Sequence, residues 1–234
     1  MATDDMAPVL ARERLALALD VDDVVEATRL AHQLKPWFAV AKVGLELFSA
    51  AGPDIVAELT NEGYRVFLDL KMADIPTTVE KAARVLGALG VSYLTMHAFT
   101  GPAMLRAGVR GLAEGAARAG LDPPAVLAVT VLTSDADAPP HILAKRVEAA
   151  VESRCSGVVC AASDVVEVKT LAPKLLAVVP GIRPLGSAKH DQARTATPAQ
   201  ALAAGADLLV VGRPVTAAPD RAKAAADLVR SISG

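Results

Sequence analysis

The sequence predicts an α/β protein folded as a single (β/α)8 TIM barrel, and three observations lead to this prediction. Short, continuously apolar runs alternate with longer segments of helical periodicity, and eight such pairs can be counted. The chain has 234 residues, which is near the length at which one barrel stands as a single domain. No linker, charge block or shift in composition divides it, so we expect one domain over residues 1–234.

The apolar runs have the character of strands in a parallel sheet. Each is apolar throughout rather than alternating, which is typical of strands buried on both faces. A closed barrel buries both faces and leaves no exposed edge. The predicted strands are 14–19, 37–43, 65–70, 91–96, 125–131, 157–160, 175–179 and 207–211.

The segments between these runs are rich in Ala, Leu, Glu and Arg, which are good helix formers. The clearest predicted helices are 24–34, 79–89, 104–119 and 199–204. Glycines that follow helical segments are expected as C-terminal caps, and prolines are expected at helix starts. These residues are Gly63, Gly90 and Gly120, and Pro76, Pro102 and Pro198.

Composition narrows the possible partners and location. The net charge is -2, with 24 basic and 26 acidic residues interleaved, so no broad basic face is expected to bind nucleic acid or an anionic membrane. The N-terminus carries Asp4 and Asp5 instead of a signal peptide, and no apolar run reaches spanning length. We therefore expect a soluble, cytoplasmic protein. Cys155 and Cys160 are expected to be buried thiols.

Charged residues stand where the predicted strands end, which is where barrel enzymes place their chemistry. Asp20 ends strand one, Lys42 lies in strand two, and strand three delivers Asp69, Lys71 and Asp74. Two carboxylates beside one lysine favour its charged form, and an Asp20–Lys42 pair would extend this network. Alternatives remain: Asp74 could be a helix cap, and Asp69 with Lys71 could be a solvated ion pair at a strand end. Asp20 could be a loop residue that leads into Asp22 and Asp23.

Two further features lie near the end of the chain. Gly212 and Arg213 follow strand eight, a common phosphate position in this kind of barrel. The irregular segment 181–197 follows strand seven, and irregular segments of this length are often active-site lids. We expect this segment to close over a phosphate.

One motif resembles a known family. The segment Asp69-Leu-Lys-Met-Ala-Asp-Ile-Pro-Thr-Thr78 is similar to the D-x-K-x-x-D-I-P-x-T signature of the orotidine 5'-phosphate decarboxylases, at the third strand, where that family carries it. No charged member of the motif is replaced. Further similar segments, in an order and spacing like the bacterial proteins, are 17–20, 41–44, 129–134, 180–183, 191–192 and 211–214.

The resemblance implies a cofactor-free and metal-free conversion of orotidine 5'-monophosphate to UMP and CO2. By this resemblance Lys71 protonates C6 of the pyrimidine and Asp69 lies against the departing carboxylate. Lys42 and Asp74 complete the implied catalytic set. The resemblance also implies a homodimer in which Asp74 comes from the partner subunit.

The same resemblance implies the substrate contacts. Asp20, Lys42, Asp74 and Thr78 would hold the ribose hydroxyls. Thr133 and Gln192 would contact the pyrimidine. Arg213, the Gly212 amide and Gln192 would bind the phosphate. Ile75 and Arg183 are carried over as binding residues without a more specific role.

Two rival functions remain open. A magnesium-dependent keto-sugar-phosphate decarboxylase or synthase of the same superfamily would carry a metal-binding glutamate in place of Lys42, and a cation there would repel Mg²⁺. We expect the nearby Glu46 to point outward from a helix. A non-catalytic phosphate-binding barrel is the other rival, since a fold alone does not establish activity. His97, at the end of strand four, is expected to be a hydrogen-bonded residue at the mouth and not a general base.

Overall fold

The eight strands close into a parallel barrel in which each strand pairs with its neighbours in chain order. The computed structural model describes residues 11–132, 139, 141–184 and 195–233. The strands are β1 Leu15–Leu19, β2 Val40–Gly44, β3 Arg65–Met72, β4 Tyr93–His97, β5 Ala125–Val129, β6 Gly157–Val159, β7 Leu176–Val179 and β8 Leu208–Val211. The predicted architecture is therefore confirmed.

The helices lie outside the barrel and connect successive strands. Within the described ranges they are α1 Val24–Leu34, α2 Leu45–Ala51, α3 Asp54–Asn61, α4 Pro76–Gly87, α5 Pro102–Arg118, α6 His141–Glu152, α7 Val165–Leu171, α8 Pro198–Ala203, α9 Arg213–Thr216 and α10 Arg221–Arg230. Short 3-10 turns cover Ala98–Thr100 and Ala162–Asp164. None of the described helices has both the length and the apolar character needed to span a membrane.

The predicted helices are confirmed, with small changes at their ends. The helix at 24–34 has the predicted bounds, and its cap Asp23 accepts a hydrogen bond from the Glu26 amide. Pro76, Pro102 and Pro198 each occupy the first turn of a helix. The fixed φ of proline suits that position, and α4 therefore begins three residues before the predicted 79.

Several strand boundaries differ from the prediction by one to three residues, and two of these differences bear on the site. The second strand begins at Val40 instead of 37, because the Trp37 amide bonds back to the Leu34 carbonyl in a turn that ends α1. The third strand continues to Met72 instead of 70, and this extension carries Lys71 within the strand. The strand β3 therefore extends beyond its apolar run and includes the charged residue Lys71.

The core has two layers, as the continuous apolar strands predict. One cluster fills the barrel interior and includes Ala16, Val40, Phe67, Leu127, Val178 and Val210. A larger cluster lies between the strands and the helices and includes Leu17, Val43, Leu68 and Leu94. Successive residues of a strand point alternately to these two layers. A polar residue two positions beyond an inward apolar residue can therefore point into the mouth of the barrel.

The helices beside β3 and β4 pack unusually closely. A Cβ on Gly111 of α5 would lie 2.1 Å from the Glu80 carbonyl oxygen of α4, and a Cβ on Gly115 would lie 1.9 Å from the Arg84 carbonyl oxygen. Only glycine permits this approach of two helix backbones. The contact supports the two strands that carry Asp69, Lys71 and His97.

Candidate active site

A cavity of about 290 Å³ opens at the carboxyl ends of the strands. Seven of the residues predicted for the site line it: Asp20, Lys42, Asp69, Lys71, Arg183, Gly212 and Arg213. Apolar side chains, among them Phe67, Val129 and Val210, form its floor and part of its walls. The cavity thus combines an apolar interior with converging charges, as small-molecule sites commonly do.

Strand alternation and register explain why these charges converge. Ala18, Val40 and Phe67 belong to the interior cluster, and Asp20, Lys42 and Asp69 each lie two positions further along the same direction. Parallel pairing places Lys42 opposite Ala18 of β1, and Asp69 opposite Gly44 of β2. The charged groups therefore meet at one end of the barrel.

Lys42 and Asp20 form an ion pair within the cavity. The Lys42 ammonium donates to Asp20 Oδ1 at 2.5 Å, and the lysine side chain is 10% exposed while the aspartate is 58% exposed. A buried ammonium needs a partner, since an isolated charge is costly to remove from water. A Cβ on Gly44 would lie 3.3 Å from Lys42 Nζ, so glycine leaves room for this ammonium.

Lys71 and Asp69 form the second pair. Lys71 Nζ donates to Asp69 Oδ2 at 2.8 Å, and both side chains are largely withdrawn from water. The pairing of β3 with β4 shifts between Leu68 and Met72, and Lys71 has a φ of 50°. A left-handed backbone is uncommon for a residue with a Cβ, and such strain is often found at functional sites.

Thr95 of β4 joins this pair through hydrogen bonds that the sequence analysis missed. The Lys71 amide donates to Thr95 Oγ1 at 2.9 Å, and Thr95 Oγ1 donates to Asp69 Oδ1 at 3.0 Å. Thr95 is fully buried. The sequence contains a signal for this role. Every second residue of a strand shares a face, and Tyr93 packs against the interior cluster, so Thr95 also points into the barrel, just below its mouth.

His97 lies beside the site and is not among the residues that line the cavity. Its ring is 4.6 Å from the Phe99 ring, centroid to centroid. Burial lowers the pKa of His97, and the positive charges of Lys71 and Arg146 lower it further, while Asp69 opposes this effect. The imidazole is therefore favoured in its neutral form.

Asp74, Ile75 and Thr78 do not line the cavity of their own chain. All three are exposed, and Asp74 Oδ1 accepts a hydrogen bond from the Ile75 amide at 2.6 Å. The expected placement of two carboxylates around Lys71 is not found within the described chain, where Lys71 is paired with Asp69 and no hydrogen bond or ion pair joins it to Asp74. The helix-cap alternative is also wrong, since Ile75 occupies the cap position of α4.

The predicted phosphate side of the cavity is formed by the ends of β7 and β8. Arg183 is buried, and its backbone amide donates to the Ala196 carbonyl at 2.9 Å. A parallel bridge between Ile182 and Ala196 joins the two ends of the predicted loop. Arg213 is exposed at the rim. The rest of this loop, with Gln192, and Thr133 after β5 lie outside the described residues.

The remaining predictions concern thiols and metal ligands. Cys155 and Cys160 are both buried, as expected, and Cys160 also lines the cavity. Glu46 is exposed in α2, as expected. In the part of the chain that the structure describes, no group of three or more His, Cys, Asp or Glu residues is placed to hold a metal ion. The cavity instead contains two ammonium groups, from Lys42 and Lys71.

The chain is similar in sequence to proteins of a known family. The family model described as orotidine 5'-phosphate decarboxylase / HUMPS family matches residues 13–228. A protein of Anaeromyxobacter dehalogenans named orotidine 5'-phosphate decarboxylase is 47% identical over 224 residues, covering 91% of this chain and 95% of the relative. One of Moorella thermoacetica with the same name is 41% identical, covering 99% of this chain and 97% of the relative.

Solved structures give the same result. The crystal structure of orotidine 5'-phosphate decarboxylase from Lactobacillus acidophilus has a TM-score of 0.81 and 34% identity, covering 95% of this chain and 100% of that chain. That of the Pyrococcus horikoshii enzyme has a TM-score of 0.78 and 26% identity, covering 94% of this chain and 99% of that chain. On the match of the family model and the identity of these relatives, the chain belongs to the orotidine 5'-phosphate decarboxylase / HUMPS family.

Proposed function

We propose that this chain is an orotidine 5'-phosphate decarboxylase, a carbon–carbon lyase that converts orotidine 5'-monophosphate to UMP and CO2 in de novo pyrimidine biosynthesis. The observation that carries the proposal is the Lys71 ammonium, held 2.8 Å from Asp69 on the wall of the strand-end cavity. The curated relatives with this name support it. A cytoplasmic location stays a prediction from the sequence.

The chemistry requires a fixed positive charge and a proton. Cleavage of the bond between C6 and the carboxylate leaves an electron pair in an in-plane orbital, which the pyrimidine ring does not delocalise. An ammonium beside C6 stabilises that developing charge electrostatically. The same ammonium then donates a proton to C6 and is left as a neutral amine, which regains a proton from solvent. Lys71 is the residue to which we assign both steps.

Asp69 keeps the Lys71 ammonium in place. A carboxylate at 2.8 Å accepts a charge-assisted hydrogen bond from the lysine and restricts its rotamers. In the substrate complex Asp69 would also lie near the departing carboxylate, where repulsion is relieved as CO2 leaves. We assign Lys42 to the same charge network, because its ammonium is fixed by Asp20 at 2.5 Å.

We assign the contacts to ribose, phosphate and pyrimidine from the positions of the remaining site residues. Asp20 and Lys42 line the side of the cavity where we place the ribose hydroxyls. Thr78 does not line the cavity of its own chain, and we assign it to the ribose across the proposed dimer interface. Arg213 and the Gly212 amide follow β8 and would bind the phosphate, with Arg183 nearby. A guanidinium binds phosphate through charge-assisted hydrogen bonds. Thr133 and Gln192, which we assign to the pyrimidine and the phosphate, lie outside the described residues.

A homodimer would complete the site. Asp74, Ile75 and Thr78 are exposed and do not line the cavity of their own chain. Exposed large apolar side chains, including Ile75, Phe99 and Leu132, follow β3, β4 and β5 at the same end of the barrel. A two-fold contact through this end would bury them and bring Asp74 of each chain to the cavity of the other. We therefore propose that Asp74 acts across a dimer interface.

The side chains available in the cavity as metal ligands disfavour the magnesium-dependent keto-sugar-phosphate enzyme. Mg²⁺ takes oxygen ligands in near-octahedral geometry. Here the two carboxylates of the cavity each bond a lysine, and Lys42 presents a cation where a metal would have to bind. The intact Asp69–Lys71 pair also disfavours a non-catalytic barrel, because phosphate binding alone does not require it.

The test is the loss of orotidine 5'-monophosphate absorbance on adding purified protein treated with EDTA. Rapid conversion that is absent in the Lys71→Ala variant supports a metal-free decarboxylase. No conversion, with magnesium-dependent action on a keto-sugar phosphate instead, would move the chain to the rival function. Inactivity in both assays would favour the non-catalytic barrel.

A further inference from the structure

We infer that Thr95 is a positioning residue for Lys71, because one buried hydroxyl fixes both the backbone of the lysine and its counter-ion. Thr95 does not line the cavity and would not touch the substrate. The inference rests on the proposed function of the same cavity and assigns a further residue to it.

The hydrogen bonds around Thr95 have a defined direction. The Lys71 amide can only donate, so Thr95 Oγ1 accepts this bond at 2.9 Å. The single hydroxyl proton is then directed to Asp69 Oδ1 at 3.0 Å. The other carboxylate oxygen, Asp69 Oδ2, accepts from Lys71 Nζ at 2.8 Å. The three bonds form a closed loop that begins and ends on Lys71.

The irregular pairing of β3 explains why a side chain is needed here. Leu68 pairs with Leu94 and Met72 pairs with Met96, so four steps along β3 correspond to two steps along β4. Such an irregularity leaves residues of the longer strand without their ladder partners. The Thr95 hydroxyl supplies an acceptor for the Lys71 amide at this position.

The same bond supports a strained backbone. Lys71 has a φ of 50°, a left-handed conformation that is strained for a residue with a Cβ. Surrounding contacts must hold such a residue in place. Thr95 does so at the amide, and through Asp69 it also holds the ammonium. A fully buried threonine that is fixed by its own strand is a rigid support for this purpose.

Loss of the hydroxyl should therefore affect the chemical step more than binding. The Lys71 amide would lose its acceptor and Asp69 Oδ1 its donor, so the ammonium would lose its fixed position. A displacement of about 1 Å in a catalytic group can lower the rate roughly 100-fold. The predicted contacts of Asp20, Lys42, Gly212 and Arg213 with ribose and phosphate come from β1, β2 and the end of β8 and do not depend on Thr95.

The experiment compares variants that separate the hydroxyl from side-chain volume. Thr95→Val keeps the shape and removes the hydroxyl, while Thr95→Ser keeps the hydroxyl. Thr130→Val is the matched control, because Thr130 is also buried and donates to the Val159 carbonyl at 2.8 Å, away from the charged pairs. For each variant, kcat and KM for orotidine 5'-monophosphate, the Kd of UMP and the thermal midpoint are measured.

We expect Thr95→Val to lower kcat roughly 10- to 100-fold, with KM and the UMP Kd changed less than about threefold. Thr95→Ser and Thr130→Val should keep kcat within about threefold of wild type. Should Thr95→Val fail to fold, Thr95→Ala and Thr95→Ser form a second pair that differs by the hydroxyl alone, and the same difference in kcat is expected between them.

Three results would overturn the inference in an active wild type. They are an unchanged kcat in the hydroxyl-free variants, an equal loss in Thr95→Ser, and a rise in KM without a loss of kcat. A wild type that binds UMP but does not decarboxylate the substrate would instead overturn the proposed function, and the inference with it.

Discussion

Lys42 donates to Asp20 across 2.5 Å, although the two residues are 22 positions apart in the chain. The parallel pairing of β1 with β2 creates this contact, since Lys42 lies opposite Ala18 and Asp20 follows two residues later. The lysine is nearly buried while the aspartate is half exposed. The charge of the nearly buried lysine is thus balanced by a carboxylate that is open to solvent.

Removal of one member of this pair should destabilise the protein more than removal of both. Asp20→Asn leaves the Lys42 ammonium without its counter-ion, and we expect a loss of about 1–2 kcal/mol in the free energy of unfolding. The double variant Asp20→Asn/Lys42→Met should recover part of this loss. Urea unfolding of the single and double variants measures both values. Additive losses in the double variant would show that the pair is not coupled.

Lys71→Ala should abolish turnover while UMP still binds. The variant lacks both the charge that stabilises the C6 carbanion and the proton that C6 receives, so kcat should fall by at least about a thousandfold. Decarboxylation is followed by absorbance, and UMP binding by calorimetry. Lys174→Ala, at an exposed position before β7, is the control and should behave as wild type. Substantial turnover by the Lys71 variant would refute the assigned mechanism.

Arg213→Ala should chiefly weaken binding of the phosphate. Loss of a charge-assisted hydrogen bond corresponds to roughly 1.5–3 kcal/mol, or about a 10- to 100-fold rise in KM. The variant should also lose most of the preference for UMP over uridine, which competition binding measures. Arg118→Ala removes an exposed arginine of α5 and serves as control. An undiminished preference for UMP in the Arg213 variant would place the phosphate elsewhere.

Mixing two inactive variants tests the shared site. In a heterodimer of Lys71→Ala and Asp74→Ala chains, one cavity contains both substitutions and the other contains neither. Random exchange of subunits should therefore restore about a quarter of wild-type activity. The activity of the mixture after mild unfolding and refolding is compared with that of each variant alone. If Asp74 acts within its own chain, no activity will return.

His97 should make the wild type more sensitive to acid. Burial and the nearby charges of Lys71 and Arg146 lower its pKa below the ordinary 6.5, so the unfolded chain binds a proton more readily than the folded one. The stability that neutral His97 contributes is present above pH 6.5 and is lost as the pH falls through the lowered pKa.

The comparison is between wild type and His97→Asn. The urea midpoint of the wild type should fall further between pH 7.5 and pH 5.5 than that of the variant, which has no imidazole to protonate. Equal decreases in the two proteins would assign the acid sensitivity to other groups.

Much of this protein is determined by local sequence. Continuous apolar runs predict strands buried on both faces, and helical segments between them predict the barrel, because both patterns depend on residues near one another in the chain. Asp20, Lys42 and Asp69 stand at or near the ends of apolar runs, and strand alternation predicts that they point inward. The D-x-K-x-x-D-I-P-x-T motif carried the resemblance to the family.

Tertiary structure decided the finer features of the site. The shift in pairing between β3 and β4 sets the left-handed backbone of Lys71, and Thr95 reaches the lysine amide and Asp69 from 24 and 26 positions away. The position of Asp74 outside the cavity of its own chain is likewise seen only in the folded protein. These contacts depend on which residues of two strands stand opposite each other, and register is a property of the folded sheet that neither strand specifies alone.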